Sequence, residues 1–164
     1  MADIPRPCKE EVEYYIANWY NLENYVDQEN SLNKLFFDLI PENKLIEDIL
    51  IKASTLNDFY STNIFSIFPV AKHIHKLDID ERLQNGDLSL VDDIANVEGV
   101  NIRFYSFATK YCSHHNPDVF PIFDNYVSRV LIHFKKQDKF AKFTSKDLFA
   151  KYQEYINVIN KNKE

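Results

Sequence analysis

The sequence predicts a single all-α domain over residues 1–164. Apolar side chains recur every three or four positions through most of the chain, the spacing of one helical face. The chain has only two glycines, too few for the left-handed turn positions that β-sandwiches and barrels require. It is 45% hydrophobic, with 13 Phe and 10 Tyr, so it can bury a core and is not expected to be disordered. We expect a compact bundle of roughly eight helices.

Helical spacing and prolines set the expected boundaries in the first half. The first pattern covers residues 10–27 and the second covers 32–40, where Pro41 ends it. Pro41-Glu42 is then expected to start a third helix, because proline suits the first turn and acids favour the helix N-terminus. A further helix is expected over 69–77, with Pro69 in its first turn.

In the second half, residues 102–114 form the helix with the strongest buried pattern. Asn116-Pro117 breaks it, the next helix covers 123–134, and a terminal helix extends to about residue 159.

Three residues resemble helix N-caps because an acid follows each of them three positions later. They are Asp78, Ser89 and Thr144. Asn85-Gly86 is expected to end the short helix between the first two, since glycine at that position closes a helix C-terminus.

Composition indicates a protein of the cytoplasm. No apolar run reaches the roughly 18 residues that would span a bilayer, so no membrane association is expected. The first seven residues contain no apolar core of a signal peptide. Cys8 and Cys112 are too few for a disulfide framework, which favours a reducing compartment.

The net charge of −6 is distributed unevenly. Residues 1–100 contain 8 basic and 19 acidic side chains, whereas residues 129–164 contain 9 basic and 4 acidic ones. An acidic protein with this asymmetry can still present a basic face. A solvated helical surface rich in lysine explains the same numbers, so charge permits DNA binding without requiring it.

The segment 97–130 carries the most specific pattern. Gly99 lies between two helical patterns, where it permits a tight turn with main-chain N–H groups free to bind an anion. Asp124 is expected to open the following helix. There the helix dipole keeps a carboxylate ionised, although aspartate at such a position is also an ordinary N-cap. One segment thus combines a candidate phosphate-binding turn with a fixed carboxylate.

These motifs resemble those of the helix-hairpin-helix DNA glycosylase superfamily. Val97-Glu98-Gly99-Val100-Asn101 is similar to that family's Leu-Pro-Gly-Val-Gly hairpin, and Phe123 to Val130 is similar to its Val-Asp-Thr-His-Val-x-Arg-Val pattern. The resemblance covers residues 56–134 and includes a polar loop before an apolar helix. Glu98 departs from the family proline. Asn101 departs from the second glycine, but asparagine is the residue best able to keep the left-handed conformation there.

The resemblance implies a fold, an activity and a set of site residues. Asp124 is expected to stabilise positive charge on the sugar while an N-glycosidic bond breaks. The implied DNA contacts are Ser61, Thr62, Asn63, Gly99, Val100, Asn101, Arg103, Arg129, Lys135 and Lys136. The aromatic candidates for stacking an extruded base are Tyr105, Phe123 and Tyr126. A monovalent cation bound by backbone groups of 97–102 is compatible with the family, and no other cofactor is implied.

The reaction type follows from the residue at the family's lysine position. That position holds Arg103, which stays protonated and cannot form a Schiff base. The sequence therefore predicts a monofunctional glycosylase without lyase activity. Lys110, two helical turns further on, is a weaker candidate amine.

Metal sites are not favoured by the cysteines and histidines. Cys112, His114, His115 and Asp118 lie close in sequence, but no second pair of ligands has a helpful spacing. The four-cysteine pattern of an iron–sulfur centre is not present.

Two further functions fit the same residues. The acidic first hundred residues and Glu98 favour a non-catalytic relative that binds DNA or a protein partner through the same scaffold. A phage-defence, toxin–immunity or regulatory component is the third alternative, because fold alone does not determine function.

Overall fold

The computed structural model describes residues 4–161, and within this range it contains helices and no strand. The ten α-helices are α1 (Lys9–Trp19), α2 (Glu23–Asn33), α3 (Ile46–Phe59), α4 (Ile67–Leu77), α5 (Asp80–Gln84), α6 (Ser89–Ala95), α7 (Tyr105–Ser113), α8 (Asn125–Asp138), α9 (Ser145–Ala150) and α10 (Tyr152–Lys161). A π-helical segment, Lys34–Leu39, continues α2. The all-α prediction is confirmed. None of the helices described here is long and apolar enough to cross a bilayer.

Helix α7 lies at the centre of the core. Eight of its nine residues are buried, and only Ser106 is partly exposed. It packs against α3 and α6, and α3 in turn packs against α4. The prediction of a buried helix here is confirmed, although the helix starts at Tyr105 rather than at Ile102. This central position matters because α7 carries several of the polar residues described below.

The N-terminal region is divided where one helix was expected. The chain turns at residues 20–22, between α1 and α2. The side chain of Asn21 donates to the carbonyl of Ala17 at 3.3 Å, which competes with the helical hydrogen-bond pattern. No residue of α1 is buried. An apolar groove of about 530 Å³ separates this helix from Val130 and Phe134 of α8.

The expected helix start at Pro41-Glu42 is wrong, because α3 begins only at Ile46. Tertiary hydrogen bonds hold the intervening segment in a non-helical conformation. The backbone N–H of Asn43 donates to the carboxylate of Asp80 at 3.1 Å, and Lys52 donates to the carbonyl of Glu42 at 2.9 Å. Partners distant in sequence thus outweigh the local preference of proline for a first turn.

The predicted caps have mixed outcomes. Thr144 forms a full capping box with Asp147, as expected. Asp78 instead ends α4 in the left-handed conformation (φ 46°), and Ser89 is the first helical residue of α6. The side chain of Asp87 accepts from the backbone N–H of Ser89 at 3.0 Å, so Asp87, and not Ser89, supplies a side-chain acceptor at the start of α6.

Gly86 and Lys151 mark the ends of α5 and α9. Gly86 has φ 67° just after α5, so the predicted helix end at Asn85-Gly86 is confirmed. The predicted terminal helix is interrupted at Lys151, which is extended (φ −144°). The N–H of Tyr152 donates there to the carboxylate of Asp92 at 3.2 Å, and this long-range partner satisfies the first turn of α10.

Candidate functional site

Asp124 is the N-cap of α8, as the sequence predicted. Its backbone is extended, and its Oδ1 accepts hydrogen bonds from the N–H groups of Tyr126 at 2.9 Å and Val127 at 3.0 Å. These two bonds fix the position of the carboxylate at the start of the helix. The other carboxylate oxygen, Oδ2, is not used by the cap and is available for a second role.

Helix α7 fixes the backbone of Phe123, the residue before Asp124. Thr109 lies on α7, and its Oγ1 accepts from the N–H of Phe123 at 3.1 Å and donates to the carbonyl of Phe123 at 3.0 Å. Both atoms belong to the residue immediately before Asp124. Because Thr109 is followed by Lys110, the same helical turn brings an amine to the start of α8.

Lys110 contacts the free oxygen of Asp124. Its Nζ lies 3.5 Å from Asp124 Oδ2 and donates to Ser106 Oγ at 2.7 Å, and it sits 5.2 Å from the centre of the Tyr60 ring. The lysine is 5% exposed. Burial lowers its pKa, and the charge of Asp124 opposes that shift. The result is a buried amine beside a carboxylate that is still partly exposed.

A second group of polar side chains is linked to Lys110 through Tyr60. The hydroxyl of Tyr60 donates to the Glu29 carboxylate at 3.4 Å and lies 3.0 Å from His114 Nε2. A tyrosine hydroxyl has one hydrogen, so Nε2 is then the donor in the bond to Tyr60. Burial lowers the pKa of His114, which keeps the imidazole neutral. Tyr60 thus contacts Lys110 through its ring, and His114 and Glu29 through its hydroxyl.

Arg103 is held by three partners within the fold. Its guanidinium pairs with the Asp92 carboxylate, donates to the carbonyl of Phe149, and stacks 4.4 Å from the ring centre of Tyr105. These partners tie α6 to the end of α9. Lys110, not Arg103, is the basic residue that contacts Asp124. The monofunctional enzyme was predicted from Arg103, and it stays a prediction, beside the alternative that Lys110 supplies an amine.

The glycine turn has the expected local geometry. The N–H of Val100 donates to the carbonyl of Val97 at 3.1 Å, and Gly99 has φ 78°, which strains any residue with a side chain. An added Cβ on Gly99 would meet no atom within 4 Å, so the turn is open on that side. Asn101 is not among the residues of positive φ in the described chain. The expected left-handed asparagine is therefore wrong, because Gly99 alone makes the turn.

Glu98, the residue before Gly99, forms an ion pair. Its carboxylate pairs with the Nζ of Lys76 at 2.8 Å. The two residues line a groove of about 280 Å³ together with Pro69, Lys72, His73 and Val97. Asp124 is not among the residues that line this groove, so the groove does not join the turn to the carboxylate.

The polar loop after α3 projects residues into solvent. Ser61 (φ 48°) and Asn63 (φ 58°) both have left-handed backbones and are exposed. The side chain of Asn57 fixes the loop by accepting from Thr62 Oγ1 at 2.6 Å and from the N–H of Ile64 at 3.0 Å. Phe65, next along the chain, is fully exposed. Sequence reasoning missed it because an apolar residue in an apolar run gives no sign that it faces water.

The basic residues of α8 differ in availability. Arg129 and Lys136 are exposed. Lys135 donates to the carbonyl of Phe143 and lies 5.1 Å from the centre of its ring, so it is partly committed to the fold.

Two of the three base-stacking candidates belong to the core. Phe123 is 0% exposed and Tyr105 is 4% exposed, so neither has a free face for a base. Both assignments are corrected to core packing. Tyr126 is 75% exposed and remains a candidate.

Cys112 of α7 and the two histidines that follow this helix have different surroundings. Cys112 is fully buried, and burial raises the pKa of its thiol. His114 bonds to Tyr60, whereas His115 Nε2 lies 3.2 Å from Asn43 Nδ2 and 3.3 Å from Lys52 Nζ. Each side chain therefore has its own surroundings. Across residues 4–161, no three His, Cys, Asp or Glu side chains gather as metal ligands would.

Comparison with known proteins places the chain in a family. Residues 11–119, more than half of the sequence, match the HI_0787_N family model, which is described as an N-terminal domain. The chain belongs to the HI_0787_N family. The region matched by that family includes Lys110, Tyr60 and the glycine turn, but it ends before Asp124.

A relative of this HI_0787_N chain occurs in Haemophilus influenzae (strain ATCC 51907 / DSM 11121 / KW20 / Rd), where it is described as an uncharacterized protein. The two are 49% identical over 120 residues, which cover 70% of this chain. The chain spans 60% of the length of that relative. No solved structure matches the chain.

Proposed function

We propose that this HI_0787_N chain is a DNA-binding protein of the helix-hairpin-helix glycosylase type that breaks the N-glycosidic bond of a damaged or modified base. The observation that supports this most strongly is the pair formed by Lys110 and Asp124. A buried amine and a capped carboxylate meet 3.5 Å apart at the start of a helix. A buried lysine whose pKa is lowered, in contact with a carboxylate, is a combination found at many functional sites.

The chemistry assigns a separate role to each partner. Breaking an N-glycosidic bond builds positive charge on the sugar. Asp124 supplies a fixed negative charge, and it does not need to reorganise because two backbone N–H groups hold it. Lys110 is the amine that reacts with the aldehyde of the resulting abasic sugar. A carbon–nitrogen bond forms, water leaves, and the neutral form favoured by burial is the reactive one.

Trapping with borohydride tests the assignment of Lys110. Incubation of the protein with an abasic duplex and sodium borohydride is expected to give a covalent protein–DNA adduct, because reduction makes the imine permanent. Lys110→Arg keeps the positive charge beside Asp124 but cannot form an imine. We expect the adduct, measured on a denaturing gel, to fall to background.

Lys34→Arg, an exposed lysine of the π-helical segment, is the matched control and should trap like the wild type. If Lys110→Arg still traps DNA, another amine is responsible. If the wild type does not trap at all while base release persists, Lys110 acts only through its charge.

The proposed DNA surface combines exposed backbone and side chains near these elements. The turn at Gly99 offers free N–H groups to a phosphate, and Arg129 and Lys136 add positive charge from α8. Phe65, fully exposed beside the polar loop, is suited to wedge between bases once one is extruded.

Removal of the Glu98 carboxylate is expected to strengthen DNA binding. Glu98→Gln removes a negative charge at the turn and releases Lys76 for a phosphate. We expect affinity for a short duplex to rise about tenfold at low salt, and the salt dependence to steepen by about one phosphate contact. Fluorescence anisotropy across a salt series measures both.

Glu47→Gln removes an exposed carboxylate from α3 and serves as the control for net charge. Equal gains in the two variants would show that general charge, and not the turn, governs binding.

The alternative function is a non-catalytic DNA- or protein-binding relative. The burial of Phe123 and Tyr105 favours it, because these side chains cannot stack on a base as the fold stands. The Lys76–Glu98 pair favours it as well, since it neutralises charge at the turn. Salt-dependent DNA binding without release of any base from a panel of modified duplexes would select this function.

A further inference from the structure

A second polar site lies just beyond the C-terminal end of α7, at His115 and Asn116. A cavity of about 580 Å³ opens between the π-helical segment, α5 and the residues that follow α7. Apolar side chains form part of its wall, including Phe36 and Phe37. The remainder includes Asp80, Glu81 and His115, and this mixture of flat apolar and polar groups is typical of small-molecule sites.

Asn43 fixes the polar wall of this cavity. It is 1% exposed, and its Nδ2 donates to Asp80 Oδ1 at 2.7 Å while its Oδ1 accepts from the Tyr111 hydroxyl at 2.6 Å. Its backbone N–H also donates to the Asp80 carboxylate at 3.1 Å. These bonds hold the carboxylate from one side. Its Oδ2 also lies 3.6 Å from the Nζ of the half-exposed Lys44, so a ligand donor on the cavity side shares this oxygen with Lys44.

The same network sets the proton position of His115. Its Nε2 is approached by Asn43 Nδ2 at 3.2 Å and by Lys52 Nζ at 3.3 Å, both of which are donors. Nε2 is therefore the acceptor, and the imidazole carries its hydrogen on Nδ1. Burial lowers the pKa of His115 well below its usual range, and the nearby Lys52 acts in the same direction. The cavity thus has a neutral histidine with a fixed N–H donor.

Lys52 is the most unusual member of the network. It is fully buried, and no carboxylate within residues 4–161 lies within ion-pair distance of it. It donates to the carbonyl of Glu42 at 2.9 Å, and burial lowers its pKa to about 8. Burying a lysine without a counter-ion costs free energy. In return, the buried Lys52 fixes the tautomer of His115 at the wall of the cavity.

We propose that this cavity binds a small amino-substituted nitrogen heteroaromatic molecule. The Nδ1–H of His115 donates to an unprotonated ring nitrogen, and the carboxylates of Asp80 and Glu81 accept from the adjacent amino group. The ring of Phe37, which is 46% exposed, covers one flat face of the ligand, and the buried Phe36 contributes to the apolar wall of the cavity. Anionic ligands are disfavoured because the lining cation, Lys44, is already paired with Asp78 at 2.6 Å. This proposal is independent of the function proposed for Lys110 and Asp124.

Cytosine and uracil form the test pair, because they are nearly the same size but present reversed donors and acceptors on the pairing edge. We expect cytosine to bind at least about tenfold more tightly than uracil, since the mismatched base leaves buried polar groups unpaired. Calorimetry on the full chain gives the two affinities. Histidine ring NMR signals locate the site: cytosine should shift those of His115 and leave those of His73 and His75 unchanged.

Asp80→Asn is expected to reduce cytosine affinity at least about tenfold by removing an acceptor, whereas Glu47→Gln, outside the cavity, should not. If Asp80→Asn fails to fold, the wild-type measurements still decide. Equal affinities for the two bases, no binding of either, or an unshifted His115 signal would each overturn the proposal.

Discussion

Substitution of Asp124 by asparagine is expected to slow base release by about a hundredfold to a thousandfold. That is the usual effect of removing one preorganised electrostatic group from an active site. Asparagine is as good an N-cap as aspartate, so the bonds from the N–H groups of Tyr126 and Val127 should persist. The change removes the charge and keeps the helix start. Single-turnover cleavage of modified duplexes, followed by hot alkali, measures the rate.

Asp118→Asn is the matched control for this substitution. Asp118 is an exposed aspartate between α7 and α8, so its loss should leave the rate within about twofold of the wild type, as for a typical surface position. Circular dichroism of both variants checks that they are folded, since Asp124→Asn also leaves Lys110 without its carboxylate partner. Undiminished release by folded Asp124→Asn would remove Asp124 from the chemistry.

Local patterns predicted the parts of the fold that depend on local forces. The burial of α7, the helix-ending Gly86 and the capping box at Thr144 were all expected from short stretches of sequence, and all three are confirmed. The capping role of Asp124 belongs to the same group, because an N-cap bonds to residues two and three positions ahead. Such features need no knowledge of the rest of the chain.

The errors arose where a distant partner competes with local preference. Asn43 bonds to Asp80, 37 residues away, and this keeps Pro41-Glu42 from starting a helix. Tyr152 bonds to Asp92, 60 residues away, and this divides the terminal helix. No periodicity in the sequence reports either pairing. The contact of Lys110 with Asp124 has the same character, which is why the sequence pattern assigned the basic position to Arg103.

Replacement of Phe123 by alanine is expected to destabilise the protein by about 3–5 kcal/mol, the usual cost of emptying a buried phenylalanine site. The centre of the Phe123 ring lies 4.8 Å from the ring centre of Tyr155 and 4.9 Å from that of Phe149, and the side chain is fully buried. Such a loss is a large fraction of the stability of a typical domain. Urea unfolding monitored by circular dichroism should show a lower midpoint with an unchanged slope.

Tyr126→Ala separates core packing from base stacking at the same helix start. This ring is 75% exposed, so its removal should change the free energy of unfolding by no more than about 0.5 kcal/mol. If the ring stacks on an extruded base, the variant should bind a modified duplex less tightly while remaining as stable as the wild type. A stable Phe123→Ala protein would mean that this ring is not part of the core, and its role as a stacking residue would have to be considered again. The two variants therefore test, side by side, which aromatic residues next to Asp124 support the fold and which are free to meet DNA.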